Sequence, residues 1–169
     1  MRYSPAAAAL ALLVAVTAST GQGAPPSPLD PRAGALVSEG RKALAEGKVE
    51  EAVDSFEAAL AIQPGHVAIY LNLAEATRKQ GLNGKALKYY REALKLDPNN
   101  QYAIAGEGET LVAKGAVEKA RRNLVKLEQL CGNKTCAPAK QLAAAIERGP
   151  APQVVTAEQV EPKPEVTTN

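Results

Sequence analysis

Two cysteines and one histidine are the residues of this sequence whose side chains most often take part in chemistry. Cys131 and Cys136 are separated by four residues, and the first of these, Gly132, interrupts the preceding helical pattern. A redox-active pair usually has two intervening residues and a helix N-terminus beneath the attacking thiol. The spacing therefore favours a structural disulfide, the state expected in an exported chain. A thiol oxidoreductase is the alternative.

The single histidine, His66, lacks the neighbours that catalysis or metal binding would require. A zinc site needs about four ligands, and the two cysteines lie far from His66 along the chain. No Ser or Cys stands at a recognisable spacing from His66 to act as a nucleophile beside a base. We therefore expect no catalytic residue, no metal, no cofactor and no enzymatic activity.

The composition indicates which kind of secondary structure builds the core. The 169 residues are 46% hydrophobic but only 4% aromatic, with one Phe and no Trp. A core built from Ala, Leu, Val and Ile favours closely packed helices. The formal net charge of +2 is too small for the phosphate contacts of a dedicated nucleic-acid binder.

The N-terminal residues have the pattern of a secretory signal peptide. Arg2 precedes an apolar run from Ala6 to Val16, and small residues follow. This run is much shorter than the roughly 20 residues of a membrane-spanning helix. We expect cleavage after Ala18, with Gly23 as an alternative site, and a periplasmic or secreted location without an integral membrane segment in the mature form.

Two proline-rich segments flank the central region. Residues 19–31 form a linker in which prolines disfavour both helix and sheet. Residues 149–169 carry four prolines and more Glu than Lys, a composition typical of a disordered tail. The folded domain is therefore expected at residues 32–148.

A period of 34 residues is the strongest organising signal in the domain. Two series of small residues repeat at this interval: Gly47, Gly81 and Gly115, and Ala52, Ala86 and Ala120. Apolar residues between them recur at helical spacing. The glycines fall where a first helix should end, and Pro64 and Pro98 fall where a second should end. Each unit is therefore predicted to be a helical hairpin, and about three must stack to bury their faces.

This pattern resembles the tetratricopeptide repeat family, whose unit is 34 residues long. The corresponding units are 33–66, 67–100 and 101–134. The middle unit matches best, whereas Glu39 and Glu107 replace a Leu of the pattern and Gly132 replaces its proline. The resemblance implies an all-α, right-handed stack of three hairpins, a short α-solenoid, closed by a capping helix at residues 138–148.

The resemblance also implies that the first helix of each hairpin lines a binding groove. Transferred to this chain, the family positions give the following groove residues: Arg41, Asn72, Glu75, Arg78, Lys79, Tyr102 and Glu109. Asn72 can offer a donor and an acceptor to a peptide backbone, and Arg78 with Lys79 can attract an acidic segment. An equally weighted interpretation leaves these side chains solvated, with Asn72 holding the next hairpin.

These expectations combine into a functional hypothesis. The protein is predicted to be an exported, non-catalytic protein–protein interaction scaffold that binds a peptide or a partner's helix in the groove. The first alternative is a permanent subunit of a cell-envelope assembly, and the second is a thiol redox protein that uses the cysteine pair. The partner is therefore expected to be a protein or peptide.

Overall fold

Helices make up almost all of the structure, a computed structural model that describes residues 28–132 and 136–150. These residues contain seven α-helices and no strand. The helices are α1 (Pro31–Ala45), α2 (Val49–Ile62), α3 (Val67–Lys79), α4 (Asn83–Leu96), α5 (Gln101–Ala113), α6 (Val117–Leu130) and α7 (Ala137–Arg148). The prediction of an all-α fold is confirmed.

The helices pack as three hairpins followed by a final helix. The pairs α1–α2, α3–α4 and α5–α6 make the most extensive contacts, and each hairpin also contacts the next. The last helix packs on both α5 and α6, as expected for a cap. It begins at Ala137, one residue earlier than predicted, with Cys136 as its N-cap.

The turns inside the hairpins depend on the repeating glycines. Gly47, Gly81 and Gly115 have φ angles of +78°, +76° and +74°. Residues with a Cβ rarely adopt this left-handed conformation, whereas glycine adopts it at little cost. The 34-residue glycine series therefore marks the three points at which the first helix of a hairpin ends.

The start of α1 is fixed both by its cap and by the segment before it. The Asp30 carboxylate accepts a hydrogen bond from the Arg32 backbone amide at 2.8 Å, and this bond lowers the pKa of Asp30. The Asp30 amide donates to Gln63 Oε1 at 2.7 Å, and Gln63 Nε2 donates to the Pro28 carbonyl at 3.1 Å. The last residues of the predicted linker are therefore part of the folded domain.

Close contacts between helices occur where small residues face large ones. A Cβ on Gly40 would lie 2.5 Å from the ring of Phe56, and one on Gly108 would lie 2.7 Å from Leu142. The 34-residue period relates Phe56 and Tyr90 to Leu124 in the third unit, but Leu124 is only half-buried. Because α7 packs directly on α5, its Leu142 occupies the space against Gly108 instead.

Glu107, one of the two departures from the repeat pattern, joins three helices. Its carboxylate accepts hydrogen bonds from Arg91 Nε of α4 and Asn123 Nδ2 of α6, each at 3.1 Å. The Glu107 side chain is only 15% exposed. A polar network thus occupies the position where the equivalent Leu73 of the middle unit is fully buried. Glu39, the other departure, is exposed to solvent.

Several predicted segments lie outside the described residues. These are the signal peptide, most of the linker, residues 133–135 and nearly all of the tail. Of the helices that the structure does describe, none combines the length and apolar character needed to cross a membrane.

Candidate functional site

One face of the domain, formed by α1, α3, α5 and α7, contains two neighbouring cavities. The larger, of about 560 Å³, lies between α3, α5 and α7, and the smaller, of about 400 Å³, lies between α1 and α3. Glu75 lines both cavities, so the two form one continuous surface, which we call the groove.

All seven groove residues expected from the sequence line these cavities. Arg41, Asn72, Glu75 and Lys79 surround the smaller one, and Glu75, Arg78, Tyr102 and Glu109 surround the larger one. The repeat register therefore brings together side chains from α1, α3 and α5 that are distant in sequence. Their role in binding stays a prediction.

The wall contributed by α7 was not foreseen. Gln141, Ala144 and Arg148 complete the larger cavity. They recur at intervals of three and four residues, so they share one side of the helix. The helical periodicity of residues 138–148 is the sequence signal that could have predicted this side.

Tyr90 and Gly106 form the innermost part of the larger cavity. A Cβ on Gly106 would overlap the Tyr90 ring, so the glycine allows the phenol to lie against the backbone of α5. Tyr90 is only 4% exposed, and its burial raises the pKa of the phenol. The nearby Arg78 guanidinium partly opposes this shift.

Two ion pairs between groove residues partly neutralise the charge of the groove. Arg78 Nη1 lies 3.5 Å from Glu109 Oε2, which links α3 to α5, and Lys79 Nζ lies 4.0 Å from Glu75 Oε1. The Nε atom of Arg78 is buried and has no hydrogen-bond acceptor among the described residues. A ligand that approaches Arg78 must therefore compete with, or bridge to, Glu109.

Asn72 has fewer open hydrogen-bonding positions than its place in the groove implies. Its side chain donates to the Ala68 carbonyl and accepts from Arg41 Nε at 3.0 Å, and the residue is only 8% exposed. These bonds match the alternative in which Asn72 holds the neighbouring hairpin. A peptide that used Asn72 would have to displace Arg41 from its amide oxygen.

The residues first considered for chemistry lie apart from the groove. The Sγ atoms of Cys131 and Cys136 are 1.99 Å apart, within bonding distance, in the connection between α6 and α7. His66 is the N-cap of α3. None of these three residues lines either groove cavity. The described residues contain no group of three or more His, Cys, Asp or Glu side chains able to hold a metal ion.

Comparison with known protein families supports the interpretation of these helices as repeated hairpins. The family model described as Tetratricopeptide repeat matches residues 37–101, from α1 to the start of α5. The helices have the fold of tetratricopeptide repeat domains. The domain is also similar to part of two Arabidopsis thaliana proteins: a Protein CTR9 homolog, 35% identical over 74 residues, and the chloroplastic tetratricopeptide repeat domain-containing protein PYG7, 38% identical over 58 residues.

These aligned regions represent 44% and 34% of this chain but only 7% and 19% of the two plant proteins. Solved tetratricopeptide repeat structures cover more. The Sgt2 domain from Aspergillus fumigatus is 25% identical, with a TM-score of 0.66, and covers 79% of this chain and 96% of its own. The TPR2B domain of yeast Sti1, solved as a pHsp70 complex, is 18% identical, with a TM-score of 0.64 and coverage of 70% and 98%.

A third solved structure is the first TPR of Spaghetti (RPAP3), bound to the HSP90 peptide SRMEEVD. It is 21% identical to this chain, has a TM-score of 0.62 and covers 69% of this chain and 91% of its own. At this level of identity the similarity establishes a shared fold.

Proposed function

We propose that the tetratricopeptide repeat domain is a non-catalytic protein-interaction scaffold that binds a peptide or a helix of a partner in the groove. The observation that carries this proposal is the continuous surface of two cavities that four helices form together. Structurally similar domains were solved with bound Hsp70 and HSP90 peptides, which supports a peptide as the ligand class.

Tyr102 is the residue best placed to anchor such a ligand. It projects from α5 at the larger cavity and is 68% exposed, although tyrosine is among the residues most often buried at protein interfaces. Leu71 and Ala105 provide apolar surface beside it, and charged side chains surround them. The groove therefore fits a segment with one apolar anchor and polar neighbours.

The finer part of the proposal is that this scaffold acts outside the cytoplasm. The signal-peptide pattern of residues 1–18 and the cysteine pair support export to an oxidising compartment. The partner would then be a protein of the periplasm, the cell envelope or the extracellular medium.

The groove can be tested with variants of exposed residues that spare the half-buried pair of Arg78 and Glu109. Reversing the charge of Arg78 would leave a third carboxylate near Glu75 and Glu109, and would change folding as well as binding. Tyr102→Ala and Lys79→Glu remove exposed groups from the cavity rims. Leu96→Ala and Lys42→Glu are matched controls, because both residues are exposed and line neither cavity.

The partner is first captured from the native envelope fraction by a photocrosslinker at position 102 and identified by mass spectrometry. Titration of the purified pair then gives the Kd of each variant. We expect Tyr102→Ala to weaken binding about tenfold, equivalent to about 1.4 kcal/mol, and the controls to bind normally. Normal binding by both groove variants would contradict the proposal and favour the permanent-subunit alternative.

A further inference from the structure

The exposed charge of this domain is strongly segregated between its helices. Helix α2 carries four carboxylates and no cation. In contrast, α4 carries four cations and one carboxylate, and α6 carries four cations and two carboxylates. All eight cations on these two helices are exposed.

Six of these cations form two rows, one on each helix. On each helix they recur at i, i+3 and i+7, which places them along one side. The set, which we call the basic seam, consists of Lys88, Arg91, Lys95, Lys119, Arg122 and Lys126. None of the six lines either groove cavity.

Two side-chain contacts link the helices that carry the rows, although α4 and α6 do not pack directly on each other. Glu107 accepts hydrogen bonds both from Arg91 and from Asn123, the neighbour of Arg122. Lys126 Nζ donates to the Pro98 carbonyl, just beyond the end of α4, at 2.6 Å. The basic seam is therefore one surface that spans the second and third hairpins.

The carboxylates of the described residues only partly neutralise this surface. Glu107 pairs with Arg91, and Glu92 pairs with Lys95 at 2.8 Å. Within the described part of the chain, no carboxylate lies within 4.0 Å of the charged nitrogens of Lys88, Lys119 or Arg122. Their summed positive potential attracts an anionic segment.

An anionic segment of the same chain follows α7, a helix that packs on α6. Residues 151–169 contain three Glu and one Lys. They follow α7, and Ile146 near its end belongs to the same apolar cluster as Val117 at the start of α6. A chain of 19 residues can extend over at most about 65 Å, well beyond the length of about 21 Å of a 14-residue helix such as α6.

We propose that the acidic segment 151–169 docks on the basic seam of its own chain. Glu158, Glu161 and Glu165 provide the complementary charge, and covalent attachment gives them a high effective concentration at the surface of their own chain. The basic seam is favoured over the groove as the docking surface because its six cations face only two carboxylates, Glu92 and Glu107. The groove has four cations, which include Arg41 and Arg148, and the two carboxylates Glu75 and Glu109.

Paramagnetic relaxation measurements on the full mature chain test this proposal. A nitroxide is attached to a single added cysteine, Ala157→Cys, under non-reducing conditions that leave the Cys131–Cys136 pair unlabelled. We expect broadening of backbone amides in α6 and α4 but not of the groove amides of Tyr102 and Gly106. Raising the ionic strength from about 0.01 M to about 1 M shortens the Debye length from about 30 Å to about 3 Å, and should abolish the broadening.

Charge reversal supplies the decisive comparison. Lys119→Glu with Arg122→Glu should abolish the broadening, and adding Glu158→Lys with Glu161→Lys should restore it. Lys42→Glu with Lys140→Glu, the same charge change at exposed positions of α1 and α7, should leave it intact. Broadening centred on the groove, broadening that survives reversal of the seam, or no broadening at all would overturn the proposal.

An anionic surface outside the chain is the competing occupant of the seam. Binding of the wild-type chain to vesicles rich in phosphatidylglycerol, together with no broadening by the tail nitroxide, would assign the basic seam to lipid and overturn the tail proposal.

Discussion

At the scale of single residues, the groove depends on how closely a few large side chains approach the backbone of the next helix. Gly106 and Tyr90 form such a contact at the inner end of the larger cavity. Gly40 and Phe56 form a similar close contact in the first hairpin. Since packed interiors have little free volume, even one added methyl group must displace its neighbour.

Gly106→Ala should therefore destabilise the domain even though alanine is the better helix former. Overpacking costs about 1–3 kcal/mol, which exceeds the gain of about 1 kcal/mol from replacing a helical glycine. We expect a melting temperature several degrees lower by circular dichroism. Gly84→Ala is the control, because Gly84 is helical and a Cβ there meets no atom within 4 Å. An equal or higher melting temperature for Gly106→Ala would contradict the packing argument.

The buried phenol of Tyr90 should make stability depend on alkaline pH. Burial raises its pKa in the folded state above the value in the unfolded chain, about 10. Its contribution is complete below the unfolded pKa and is lost as the pH rises through the folded pKa. Tyr90→Phe should lose less stability than wild type above about pH 10, measured by denaturant unfolding. Tyr102→Phe, at an exposed position, should follow wild type, and parallel pH profiles for all three would refute the assignment.

At the scale of helices, α7 both closes the stack and completes the larger cavity. Leu142 is fully buried against Gly108, whereas Gln141 and Arg148 face the cavity from the same helix. A terminal repeat would otherwise expose an apolar face. The cap and one wall of the candidate site are therefore the same element.

Leu142→Ala should lower the free energy of unfolding by about 2–5 kcal/mol, because it leaves a cavity in a fully packed site. Gln141→Ala, at an exposed neighbouring position, should change it by less than about 0.5 kcal/mol. Denaturant unfolding of both variants measures the difference. Similar values for the two would show that α7 does not stabilise the stack.

The connection between α6 and α7 carries the cysteine pair, whose bond we predict to be structural. Replacing both Cys131 and Cys136 by Ser opens a ring of six residues, for which the chain-entropy estimate is about 2 kcal/mol. We expect a melting temperature lower by several degrees and unchanged partner binding, because neither cysteine lines the groove. Free thiols in the non-reduced native protein, measured by mass spectrometry, would show that the bond is absent.

At the scale of the whole molecule, the groove and the basic seam divide the surface between two kinds of contact. The groove uses α1, α3, α5 and α7, whereas the seam uses α4 and α6. A solenoid provides such separate faces because the two helices of each hairpin point their outer sides in different directions. We therefore expect a groove ligand and the acidic tail to bind the same chain without direct competition.

The signal-peptide pattern predicts that the mature chain in its own cell lacks the first 18 residues. The apolar run from Ala6 to Val16 is long enough for a signal peptide and too short to span a bilayer. Intact mass of the protein recovered from its source should correspond to a start at Ser19 or shortly after it. A mass that retains Met1 would argue against cleavage and for a form held at the membrane.

The sequence by itself determined the hairpins and their register. Glycine conformation at positions 47, 81 and 115 and helical periodicity are local properties, so the 34-residue repeat was sufficient to place the six helices of the hairpins. The resemblance to the repeat family supplied the seven expected groove residues, and the structure places all of them along the two cavities. Tertiary structure alone decided which partners these side chains found. Asn72 is engaged by Arg41, and Leu142 rather than Leu124 packs on Gly108. Such pairings depend on the angle and depth at which helices pack, which residue spacing within a single helix does not specify.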